Sequence, residues 1–150
     1  MAPIFFALVF VLIDLSWYFM TSSMVDNAVE NAARAVRLGD LNPSDNGVSF
    51  RNALCTNLIL LDCNNFSFSV SVPTDLSKVD TTPKVDATGA ISSPSYDPGG
   101  PEDVVVVTIV YVHHFLIPYV ANIFGDTSLL DPTERDIVSY LVVKNEPYPN

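Results

Sequence analysis

The sequence predicts an α+β fold, a long N-terminal helix and a short helix packed on a small three-stranded antiparallel sheet, and three observations predict it. Residues 2–38 contain no glycine, and their only proline, Pro3, stands where a first helical turn tolerates it. FSFSVSV alternates strictly, Phe66, Phe68, Val70 and Val72 on one face and Ser67, Ser69 and Ser71 on the other, as a strand with one wet side does. DVVVVTIVYV is apolar on both faces, which suits a central strand covered on both sides, and DIVSYLVVKN is β-branched and aromatic-rich before the chain meets Pro147.

One helix over residues 2–38 would be about 55 Å long, nearly twice a hydrocarbon core of about 30 Å. Only its first half fits in lipid. The second half is amphipathic: Met24, Val25, Ala28, Val29, Ala32, Ala33 and Val36 follow helical spacing, and Asp26, Asn27, Glu30, Asn31, Arg34 and Arg37 fill the opposite face. Met24, Ala28, Val29, Ala32 and Val36 are therefore the expected helix interface. Arg37 and then Gly39 read as a last turn and its stop. The division that follows is a helix over 1–39, its first half in the membrane and its second half on the head, and a globular head over 40–150.

The opening MAPIFFALVFVLIDLSWYFM admits three readings. A cleaved secretory signal has TSS as an exit site but lacks a basic start, since nothing basic precedes Arg34. A buried core helix conflicts with Phe5, Phe6, Phe10, Trp17, Tyr18 and Phe19, which leave no face for water. A membrane anchor fits best, with Trp17 and Tyr18 marking the interface. Within it, Asp14 costs about 2.5 to 3.5 kcal/mol on insertion scales. Either the acid is shallow enough to stay protonated or reach polar groups, or it meets a donor on another helix, which makes the segment an assembly surface.

After LNPSDNG, Phe50, Leu54, Leu58 and Leu61 stand at near-helical spacing, which predicts a helix of about three turns. It carries one of the chain's two cysteines, Cys55, and the other is Cys63. Two cysteines are too few for a zinc site, and their spacing is not that of a Cys-x-x-Cys redox motif. They form one disulfide if this part leaves the cytosol, and two reduced, buried thiols if it does not. Bridged Cα atoms lie within about 7 Å, so in the first case the helix must end before Cys63.

Seven Lys and Arg against 17 Asp and Glu give a formal charge of −10, which repels phosphate and makes nucleic acid a poor partner. A content of 49% hydrophobic residues excludes a disordered chain. Between the first two strands, residues 73–102 carry many prolines and glycines, far more chain than a hairpin needs, so this loop is functional or mobile. FLIPYVANIFGDTSLLD joins the second and third strands and is apolar enough to pack, with a helical turn expected near Tyr119 to Phe124. The loop aromatic Tyr96 and the C-terminal Tyr148 are either contact surface or packed on their own domain.

Together, APIFFALVFVLID, NAVENAARAVRLG, FRNALC with LLDC, PGGPEDVVVV and VVKNEPY resemble, in order and spacing, the TadE-like minor pilins of Flp-type (tight adherence) pili. The resemblance implies a type IV pilin-like fold and an inner-membrane, single-pass subunit with an extracytoplasmic head. It implies export, hence an oxidised Cys55–Cys63 pair. It implies pilus assembly for adhesion, with other minor pilins, the major pilin, the assembly platform and membrane lipid as partners, and incorporation into an extracellular pilus. At assembly the apolar helix would leave lipid and pack among other pilin helices, where Asp14 exchanges bilayer for a protein partner. Family members usually carry a leader with a glycine-type processing site followed by a glutamate; neither stands near Met1, so no cleavage position carries over.

No catalytic pattern stands out: there is no nucleophile elbow, P-loop or zinc-protease motif, and no enzyme, cofactor or small-molecule substrate is expected. His113 and His114 are adjacent on a strand, point to opposite faces, and cannot form a metal site alone. DPGGPED with Asp75, Asp80 and Asp86 supplies hard oxygen ligands without EF-hand spacing. The alternative function is therefore a membrane-anchored binding module, adhesin-like or calcium-dependent, that uses this acidic Pro/Gly loop.

Overall fold

The structure, a computed structural model, describes residues 2–56, 58, 60–75, 83–117, 120 and 133–147. Two helices, α1 (Ala2–Leu38) and α2 (Val48–Cys55), precede three strands, β1 (Phe66–Ser71), β2 (Val104–His114) and β3 (Glu134–Lys144). The sheet is antiparallel in the order β1-β2-β3. The architecture is α+β and consistent with a pilin-like fold.

α1 is one uninterrupted helix of 37 residues. It ends on Gly39 at φ 71°, whose N–H donates to Val36 O while the Asp40 N–H donates to Ala35 O. This paired closure satisfies the last carbonyls and needs a residue at ease in the left-handed region. Val25, Ala28, Val29, Ala32, Ala33 and Val36 are buried along one stripe, with Met24 partly buried beside them. The small alanines let the helix lie close to the sheet face made by Phe66 and Val70 of β1, Val105, Val107, Ile109 and Tyr111 of β2, and Ile137 of β3.

α2 is shorter than the leucine spacing predicts, at 8 residues. Cys55 is bridged to Cys63 with the Cα atoms 5.9 Å apart, whereas eight residues of helix advance about 12 Å. The chain therefore turns at Thr56, whose hydroxyl donates to Asn52 O, and Leu58 and Leu61 reach the core from irregular backbone. At its other end α2 starts from Gly47 at φ 86°, where a Cβ would stand 2.8 Å from the Phe68 ring.

The serine side of β1 is only half exposed to water. Ser67 Oγ accepts the Ile91 N–H, Ser69 Oγ accepts the Ser95 N–H, and Val70 exchanges backbone bonds with Ser95 and Asp97. The described part of the long Pro/Gly connection thus lies along the outer edge of β1 and covers what would otherwise be an open pairing edge. Its far end is tied down by Asn145, whose side-chain amide donates to Pro98 O and Gly100 O and whose N–H donates to Asp103 O. Glu146 continues to α1, its N–H on Arg37 O and its carboxylate 3.3 Å from Arg37 Nε. The helical turn expected near Tyr119 to Phe124, and Tyr148, lie outside the described residues.

Candidate functional site at the junction of helix and head

The buried stripe of α1 does not stop where its polar face begins. It continues toward the N-terminus through Thr21 to Asp14, both 1% exposed. Tyr18 and Leu15 on the same side pack with Val11 against Phe115, Ile117 and Val120, which follow β2. Contact with the head thus extends about three turns beyond Met24, the first residue of the amphipathic pattern.

At this end the chain solves the problem of an acid on an apolar helix. One carboxylate oxygen of Asp14 accepts the Leu116 N–H at 3.3 Å and the other the Ile117 N–H at 3.1 Å. These are backbone donors left over where β2 gives way to the next connection, and a charged acceptor makes such bonds stronger than neutral ones. Between Asp14 and the core, Tyr18 stacks on Phe115 at 5.3 Å and meets the edge of His113 at 5.4 Å. Burial holds the His113 imidazole below its ordinary value; the Asp14 charge opposes this and His114 adds to it.

Away from this seat, toward the N-terminus and on the side facing away from the head, α1 is apolar and open. Ile4, Phe5, Phe6, Leu8, Phe10, Leu12, Ile13, Trp17, Phe19 and Met20 are exposed. At about 1 kcal/mol for each half-exposed side chain, leaving this band in water costs on the order of 10 kcal/mol, comparable with the whole stability of a small domain. Something apolar is needed to cover it. A shallow groove on this face is lined by Val9, Leu12, Ile13, Ser16, Trp17 and Met20.

Residues 1–34 match the model of the TadE-like protein family. The TadE-like match covers the segment just described, the apolar half of α1, the Asp14 seat and most of the amphipathic half, and it suggests a pilus-associated protein of the Tad type with pilus-related protein partners. The head lies outside the matched residues. No curated protein and no solved structure matches the chain.

The remaining candidates are structural. The Cys55–Cys63 disulfide clamps the exit of α2, and Arg51 beside it donates to Cys63 O at 3.3 Å and lies over the Phe68 ring. The loop carboxylates are engaged by their own turns: Asp86 accepts from Thr88 and Ala90, Asp97 from Gly99, and Asp103 from Gly100. Asp80 lies outside the described residues. Among the described residues no group of three or more His, Cys, Asp or Glu is arranged to hold a metal ion. Tyr96 packs against its own domain, its hydroxyl donating to Asn42 O. His113 is buried and His114 is exposed, paired with Glu134 at 3.2 Å.

Two features of the junction, the donors at Leu116 and Ile117 and the Tyr18, His113 and Phe115 cluster, are absent from the sequence pattern, as is the hub at Asn145 at the opposite end of the sheet. Backbone donors leave no signature in residue types. The only signal is that FLIPYV directly follows a strand and is too apolar for an ordinary turn.

Proposed function

We propose that the chain is a non-catalytic minor pilin of a Tad-type pilus, seated in the bacterial inner membrane by a single helix, with its head on the extracytoplasmic side. The family match over residues 1–34 and the open apolar band of α1, rising from a folded α+β head, together support this reading. In the resting subunit, lipid covers the band. During assembly the face around Leu12, Ser16 and Trp17 exchanges lipid for the helices of other pilins, an exchange in which close packing replaces lipid contacts of similar apolarity. Asp14 enters that bundle with its oxygens already occupied by its own chain, so no uncompensated charge is carried across the interface. The amphipathic half of α1 fixes the head at a set angle to the helix. The head then presents its acidic surface to neighbouring subunits and sets partner choice.

Surface piliation in the producing cell tests the reading. Cells lacking the chain are expected to lose pili, and the full chain to restore them. A form without residues 3–20 should fail to restore them. Normal pili in the absence of the chain would refute the role.

A further inference from the structure

We propose that the start of the connection that follows β2, Phe115, Leu116, Ile117 and Val120, is a second membrane-contacting element, inserted beside α1 into the boundary between lipid headgroups and acyl chains; this rests on the anchor reading above. Two distant stretches of chain change from polar to apolar at one height. On α1 the change falls between Met20 and Ser23. On the sheet, His114 Nδ1 lies 3.2 Å from the Glu134 carboxylate where β2 ends and β3 begins, and the next residue, Phe115, opens FLIPYVANIFG, which carries no charge. Tyr18 brings the two changes together, because it touches both His113 and Phe115.

From that height residues 115–117 lead toward the N-terminal end of α1. Leu116 and Ile117 reach Asp14, and Ile117 and Val120 pack in the cluster that holds Val11 and Leu15. Tyr18 to Val11 is two turns, about 10 Å, which matches the depth of about 5 to 10 Å at which amphipathic segments lie in the lipid boundary. Leu116 is 83% exposed there, an apolar side chain uncovered by its own protein on a segment beside an uncovered apolar helix. Backbone N–H groups at such depth need acceptors, and a carboxylate at such depth needs donors. Asp14 with Leu116 and Ile117 meets both needs at once. The acid in the opening helix is then the seat on which the connection enters lipid.

Depth-dependent quenching tests this with the full chain in phosphatidylcholine vesicles. Trp17 is the sole tryptophan, so Trp17→Phe gives a silent background. Into it are placed Leu116→Trp, Phe10→Trp as the reporter for the anchor, and Val142→Trp on the exposed outer face of β3 as the aqueous control. Leu116 is exposed, so its replacement removes no buried contact. Acyl-chain-brominated lipid is expected to remove more than half of the emission at positions 10 and 116 and to leave position 142 unchanged. Quenching at position 10 with none at 116 would place the connection in water and overturn the proposal while the anchor stands. No quenching at either position would remove the anchor, and the proposal with it.

Discussion

The carboxylate of Asp14 accepts the backbone N–H of Ile117 at 3.1 Å, joining the opening helix to a connection 103 residues further along the chain. Replacing Asp14 by Leu leaves the part-buried N–H groups of Leu116 and Ile117 without their acceptor, at a cost on the order of 1 to 2 kcal/mol. Asp14→Asn keeps one acceptor oxygen and should lose about 1 kcal/mol. Hydrogen exchange at residues 116 and 117 in detergent micelles checks this, with faster exchange expected in the order Asp, Asn, Leu.

The disulfide closes a short loop between Cys55 and Cys63 and excludes extended forms of the unfolded chain. Opening it with the Cys55→Ser, Cys63→Ser pair should lower stability by about 2 to 3 kcal/mol on the chain-entropy account. Thermal unfolding measures it, and a fall in Tm of roughly 10 °C is expected.

Asp136 lies on the outer face of β3 opposite Val112, where burial raises its pKa to about 6; Arg135 opposes the shift, and Glu134 and Asp86 add to it. A carboxyl raised above its unfolded value of 3.8 stabilises the fold in acid, and that contribution is lost as pH rises through about 6. After discounting for solvent screening, the loss is about 1 kcal/mol. Asp136→Asn should remove this part of the pH dependence and make the protein more stable than wild type at pH 7. Denaturant unfolding at a series of pH values reads it.

His113 acts in the opposite direction. Burial lowers its pKa below 6.5, so its neutral form is favoured in the fold, and stability is lost as pH falls from 6.5 through the lower folded value. Among the described residues its Nε2 has no hydrogen-bond partner, so charging it gains nothing from that side. His113→Phe should keep the contacts with Tyr18 and Phe115 and flatten the acid limb of the stability profile.

How much of this was legible in the sequence depended on whether a feature is carried by side-chain type. The length of α1, its stop at Gly39 and its buried stripe from Met24 to Val36 follow from local rules, a missing glycine, a left-handed terminator and a period of 3.6. The strands follow from period-two patterning and β-branched runs. The end of α2 did not, because leucines at helical spacing also reach a core from a turn, and here the Cys55–Cys63 bridge overrides the helical period. The half-buried serines of β1 were missed for a related reason: Ser67 and Ser69 look solvent-facing until a loop more than 20 residues away offers them its N–H groups. Asp14 announced itself as an anomaly on an apolar helix, but the donors that answer it are backbone atoms, which residue identity does not encode.

The central claim is that the apolar band from Ile4 to Met20 rests in lipid while the head folds outside the cytoplasm, and membrane fractionation with alkaline carbonate extraction tests it most directly. The full chain is expected to remain in the membrane pellet with Cys55 and Cys63 resistant to alkylation until reduced. Recovery of the full chain in the soluble cytosolic fraction, with both thiols free to react, would contradict it.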